Sequence, residues 1–260
     1  MRVATTMPPM SDRDDRPARS FDGVADAYQR ARPSYPAAAV GWVLEQAPGP
    51  RVVDLAAGTG KLTEVLVAAA ADVTAVEPLP NMRAHLERTL PGVPALAGTA
   101  EAIPLGSGSA DAVLVAQAFH WFVADRALGE IARVLVPGGV LGLLWNLRDE
   151  RVAWVAELTA ALDGAGDVLA RSRLLAGAPL RHPAFADVER EEFANPVPFD
   201  RARLLDWAAS TSSVATLDGA RREEMLARVG RIAAEHPGLR GRSEFPMPFV
   251  TTVVRAVRGP

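Results

Sequence analysis

Val53-Asp54-Leu55-Ala56-Ala57-Gly58-Thr59-Gly60-Lys61-Leu62 is the stretch on which the fold of this chain turns. A short run of strand-forming residues, Arg51 to Leu55, ends in a turn with two glycines, and Lys61 to Ala71 then has helical composition. Strand, glycine-bearing turn and helix open an α/β sheet in which ligands bind beyond the carboxyl ends of the strands. The amides of the turn and the start of the next helix face that crevice, and glycine lets a ligand approach the backbone. A dinucleotide fingerprint begun at Gly58 needs glycine at 63, where the chain has Thr63. A phosphate loop ending in Gly60-Lys61 needs glycine at 55 and a hydroxyl residue at 62, and both positions are leucine. Both phosphate readings fail on spacing.

Outward from this turn, strand and helix alternate. Asp72–Val76 reads as a second strand, Pro80–Leu90 as a helix and Pro94–Ala97 as a weak third strand. Ala112–Ala116 is a fourth strand, apolar on both faces; Ala124–Leu135 is a helix stopped by Pro137-Gly138-Gly139; Val140–Trp145 is a fifth strand. Strands apolar on both faces and alternating with helices predict a doubly wound, mostly parallel sheet covered on each side. Upstream, Phe21–Arg32 and Pro36–Gln46 read as helices separated by the turn signal Pro33-Ser34-Tyr35-Pro36. From Arg151 the rhythm changes. Helices are predicted over 151–162, 167–175, 201–209 and 217–235, with late strands over 188–194 and 249–257. The expectation is an α/β, Rossmann-like sheet of seven strands, the last two completing it, with a helical cap. Residues 1–20 would be a flexible leader, 21–150 the ligand-binding core, and 151–260 the cap plus the last two strands.

Composition bounds the function. The chain has 260 residues, 49% hydrophobic and 23% charged, with a formal net charge of -3. That balance argues against holding nucleic acid by charge alone. Cysteine is absent, which removes disulfides, thiolate metal sites and cysteine nucleophiles. The histidines at 85, 120, 182 and 236 show no i, i+4 spacing, so no protein-held transition metal is expected. The longest stretches free of formal charge, 112–124 and 134–147, fall short of the roughly 20 residues that cross a bilayer. The polar N-terminus lacks an apolar signal core, so a cytoplasmic protein without membrane partner is expected. Oligomeric state is not legible.

Residues 54–60 resemble motif I of class I S-adenosylmethionine-dependent methyltransferases, an acid-x-G-x-G-x-G turn. Asp54, Gly58 and Gly60 fall in register, and Ala56 stands where the family has its first glycine. The resemblance implies S-adenosylmethionine as cofactor and S-adenosylhomocysteine as product, bound at Asp54, Ala56, Gly58 and Gly60. Glu77 follows Gly60 by 17 residues, at the end of the second strand, where an acid accepts from ribose hydroxyls; Pro78 and Met82 come just after it. Gly98-Thr99-Ala100-Glu101-Ala102-Ile103-Pro104 resembles the family's adenine-contacting loop, implying contacts from Thr99, Ala100 and Glu101. Glu101 reads equally as a helix-start charge.

Gln117-Ala118-Phe119-His120-Trp121-Phe122, Trp145-Asn146-Leu147-Arg148-Asp149 with Trp154, and Tyr28 to Pro36 resemble a small-molecule subgroup of the trans-aconitate methyltransferase type. That likeness places Gln117 at the cofactor and lets Tyr28 and Arg32 fold over it, Arg32 pairing with its carboxylate or reading equally as one of many surface arginines. His120 becomes the candidate base, its ordinary pKa of about 6.5 suiting proton removal from a hydroxyl or acidic carbon. It reads equally as a cofactor or substrate contact, or as packing against Trp121. Trp121, Trp145 and Asn146 become candidate substrate contacts, with ordinary core packing as the alternative for the tryptophans. The expected reaction is methyl transfer to a small molecule, at a carboxylate or hydroxyl oxygen. Two rivals share the scaffold: a non-methylating, cyclase-type enzyme, and a regulatory cofactor-binding protein without catalysis.

Overall fold

The computed structural model describes residues 32–162, 180–215 and 217–260. The predicted leader, all of the predicted helix Phe21–Arg32 except Arg32, Tyr28 and the helix over 167–175 lie outside these residues. Five strands run parallel: β1 Arg51–Leu55, β2 Asp72–Val76, β3 Ala95–Leu96, β4 Ala110–Ala116 and β5 Leu135–Arg148. Two long strands, β6 Phe185–Asp200 and β7 Glu244–Arg258, complete a seven-stranded sheet of order β3-β2-β1-β4-β5-β7-β6. β7 is antiparallel to both of its neighbours.

Alternate residues of each strand feed two cores. On one face Val53, Leu55, Val113, Val115, Leu141, Leu143, Trp145 and Val254 are buried together with Ala127, Leu128 and Ile131 of helix α4 (Ala124–Val134). On the other, Val52, Ala112, Leu114, Val140, Leu144 and Val253 pack with helices α1 (Ala37–Leu44) and α2 (Lys61–Ala68). Gly142 lets α1 lie close: a Cβ there would stand 2.8 Å from Val43 Cγ1. Helix α3 (Pro80–Thr89) buries Met82, His85 and Leu86.

A third cluster forms beyond the end of β5. The β6/β7 ribbon pairs from Phe185↔Arg258 out to Asp200↔Glu244, whereas β5 pairs with β7 only as far as Arg148↔Phe249. The overhanging piece carries Phe199, Phe245 and Met247. They pack with Trp154, Val155 and Leu158 of α5 (Ala153–Leu162), Leu204 and Trp207 of α6 (Arg201–Ser210), Val214 of the short α7 (Ser212–Ala215) and Val229 of α8 (Gly219–Glu235). Because the overhang lies past the carboxyl end of β5, this helical cap stands at the crevice edge of the sheet.

The late strands are longer than the sequence suggested. β6 is an edge strand exposed over most of its length, so Asp187-Val188-Glu189-Arg190-Glu191-Glu192 lacks an apolar face, as edge strands commonly do. Its outer part pairs Pro196 with Pro248 and Pro198 with Pro246. Proline has no N–H, so such pairs occupy the non-hydrogen-bonded positions of the ladder and cost no bond. Helices α6 and α8 open on Asp200 and Asp218, whose side chains accept from the Arg203 and Arg221 amides.

Candidate functional site

The site is built where β1 and β2 end side by side. Ala56 and the first glycine after it turn left-handed, with φ of 59° and 58°. Glycine adopts that conformation freely, while alanine carries a cost of about 1–2 kcal/mol. A Cβ built on Gly58 meets no heavy atom within 4 Å, so the backbone there is open to approach. The Glu77 carboxylate, buried at the end of β2, spans the gap: Oε2 accepts from the Gly58 amide at 2.8 Å and Oε1 from the Leu79 amide at 2.8 Å. Arg83 on α3 donates to the Glu77 carbonyl at 2.8 Å and holds the strand end in place.

Beneath the turn lies Asp54, 1% exposed. Burial pushes its carboxyl up to about 7; the Thr63 hydroxyl, donating at 2.6 Å, opposes the rise, and the nearby Glu77 charge adds to it. Thr63, which counted against a dinucleotide site, is the hydroxyl that serves this acid. Only its place one helical turn after the glycines hinted at the role.

The remaining candidates fall along the rim. Pro78 is exposed beside Glu77, and Met82 is buried on α3. Thr99 is exposed and Ala100 buried in a tight bridge between Thr99 and Ala102. Glu101 accepts from the Val123 amide at 2.9 Å, tying the loop after β3 to the start of α4. Gln117 continues β4 in a left-handed conformation, φ 56°, and its side chain donates to the Asn146 carbonyl at 3.0 Å. His120 and Trp121 sit in a single 3-10 turn, Phe119–Trp121, with their rings 4.9 Å apart; His120 is buried and Trp121 half-buried.

Two candidates, and Trp154 of the subgroup likeness, have partners that their sequence neighbourhoods did not announce. Asn146 projects away from the Trp145 face. Its amide donates to the Ser34 carbonyl at 3.1 Å, and its oxygen accepts from Thr251 and Asn195. Its side chain is therefore a tether for the segment ahead of α1. Arg32 donates to the Ser210 carbonyl at the end of α6, at 2.9 Å, joining that segment to the cap. Trp154 packs edge-on against Phe245 in the cap core and lines no part of the rim.

Replacing Glu77 with alanine strands two amides that the carboxylate now serves. We expect a loss of about 1–3 kcal/mol of stability, read by urea unfolding, with Glu77→Gln recovering part of it. Unchanged unfolding in Glu77→Ala would mean that water serves those amides equally well.

Among the described residues no group of His, Asp or Glu is arranged to hold a metal, and no helix is long and apolar enough to cross a membrane. A family model described as a methyltransferase domain matches residues 53–143, from β1 into β5. An uncharacterized methyltransferase of Mycobacterium tuberculosis is 46% identical over 237 residues, which is 91% of this chain and 95% of that protein. The malonyl-[acyl-carrier protein] O-methyltransferase of Methylococcus capsulatus is 38% identical over 119 residues, 42% of this chain and 43% of that one. A solved structure from Anaeromyxobacter dehalogenans superposes with a TM-score of 0.64 at 26% identity, covering 87% and 97% of the two chains. With the strand order, the glycine turn and a relative matched along nearly its whole length in agreement, the chain belongs to the methyltransferase family.

Proposed function

We propose that the chain transfers the methyl group of S-adenosylmethionine to an oxygen of a small-molecule acceptor. The observation that carries the reading is the Glu77 carboxylate bound to the Gly58 amide, which joins an acid and an open glycine turn at the ends of adjacent strands. The residues present fit the cofactor. Gly58 admits close approach, and the Glu77 carboxylate is the acceptor type that suits ribose hydroxyls. Thr99, Ala100 and Glu101 border the loop assigned to the base. When bound, the cofactor supplies an electrophilic methyl group on a cationic sulfur.

The protein's tasks are then alignment, exclusion of water and, for a hydroxyl acceptor, removal of a proton. Alignment falls to the glycine turn and Gln117. Trp121 offers an aromatic edge to the acceptor, and the cap over the end of β5 shields the crevice. His120 lies one turn past β4, at the reacting rim, where its imidazole takes the proton of a hydroxyl acceptor; a carboxylate acceptor needs no base. The malonyl-carrier relative, by its name an O-methyltransferase, supports oxygen as the methylated atom. The rim residues 117–122 and 145–149 support a subgroup like trans-aconitate methyltransferase.

Calorimetric titration with S-adenosylmethionine, S-adenosylhomocysteine and NADH tests the reading. Micromolar binding of the first two and none of the third is expected. Binding of NADH alone would overturn it.

A further inference from the structure

Trp145 of β5 and Thr252 of β7 stand directly opposite one another in the antiparallel ladder. Such residues project on the same face with Cβ atoms about 4.5–5.5 Å apart. Both residues are 1% exposed, and among the described residues the indole Nε1 and the hydroxyl Oγ1 are both buried with no hydrogen-bond partner. The opposite face of the same strands differs: Asn146, Thr251 and Asn195 satisfy one another and the Ser34 carbonyl. A buried polar group left unpaired is costly, and native interiors hold few of them. Phenylalanine and valine would fill similar space without that cost. Two such groups on facing residues of one sheet face suggest a shared partner.

The chemistry of the partner follows from the donors. An indole N–H can only donate, so the missing atom is an acceptor, and the threonine hydroxyl can donate to the same atom. Charge narrows the choice. Glu192 of β6, opposite Thr252, and Arg190 beside it pair with each other at 2.8 Å. Arg148 projects on the other face, where it donates to Thr159 at 2.8 Å. Two neutral donors, with Arg190 and Arg148 engaged elsewhere, suit a neutral carbonyl oxygen better than a carboxylate.

The position is also right. Leu114 is level with Asp54 and Leu144 with Ala116, so Trp145 stands one residue past the end of β4, at the rim that carries Gln117. At about 4.8 Å per strand, Trp145 lies roughly 10 Å and Thr252 roughly 15 Å across the sheet from β1. That is the side of the crevice left for the molecule to be methylated.

We propose that Trp145 and Thr252 form a two-donor subsite for a neutral carbonyl oxygen of the methyl acceptor. The inference rests on the methyltransferase reading of the crevice and extends it to the class of acceptor.

The test uses the full chain labelled with 15N at the tryptophan indoles. The Trp145 resonance is identified by its loss in Trp145→Phe. Protein with S-adenosylhomocysteine is titrated with acetophenone, benzoate and ethylbenzene. Acetophenone is expected to move the Trp145 indole proton downfield, ethylbenzene to leave it, and Thr252→Val to weaken the acetophenone response at least about threefold. Because valine removes an unpaired buried hydroxyl, Thr252→Val should also melt about 2–4 °C higher. A resonance that no probe moves marks a resident water and overturns the proposal. So does an equal response to ethylbenzene, a response to benzoate alone, or a lower melting temperature in Thr252→Val. Binding of S-adenosylhomocysteine is measured first in the same samples. Its failure would strike the cofactor reading, while the acetophenone shift still decides the subsite.

Discussion

Gly58→Val is expected to lower affinity for S-adenosylmethionine by more than about 100-fold, a loss near 2.7 kcal/mol, while the protein stays folded. The two effects separate because of where the new side chain would stand. Within the protein a Cβ at this position meets nothing within 4 Å, so the fold bears only the strain of φ 58°. For a β-branched residue that strain is on the order of 1–2 kcal/mol, or a melting point lower by roughly 2–8 °C. A ligand lying against the turn meets the added methyl groups directly. Calorimetry and thermal melting on the same preparation check both parts. Wild-type affinity in Gly58→Val would remove the turn from the site.

The second large effect concerns acidity. Asp54 is pushed up from 3.8 to about 7 by burial, so the folded protein holds this proton more tightly than the unfolded chain does. The stability it contributes is complete below about pH 4 and is lost as pH rises to about 7. The full span is on the order of 4 kcal/mol. Wild-type protein should therefore unfold at lower urea at pH 8 than at pH 5.5, and Asp54→Asn should flatten that slope and be the more stable protein at pH 8. The carboxyls of Asp111, Glu130 and Asp149, held low by Arg51, Arg133 and Arg151, release their stability only at pH values below this window. Identical pH slopes for wild type and Asp54→Asn would show that Asp54 is ionised in the folded protein at neutral pH.

The parts of the fold legible in the sequence were those whose cause is local. A β-branched run followed by glycines, and an acid at the end of the next strand, announce themselves within a few residues, and both lie where the pattern put them. β6 was visible only in its middle, because an edge strand needs no apolar face and Pro196 and Pro198 read as breakers. The partners of Arg32 and Asn146 were invisible for another reason. Arg32 reaches Ser210 across 178 positions and Asn146 reaches Ser34 across 112, and a pattern search sees no such distances. Thr252 carried no signal at all; a threonine in an apolar strand is ordinary until its hydroxyl is found without a partner among the described residues.

The strand order has a consequence in time. β7 lies between β5 and β6 but follows both in sequence, so a growing chain carries the apolar edge of β5 unpaired until residues 249–257 have been made. An unpaired edge of this kind invites pairing with other chains. A ribosome that stalls ahead of Glu244 would release not a crippled enzyme but a sticky half-sheet, and the yield of soluble protein should depend on its final strand more than on any residue of the crevice.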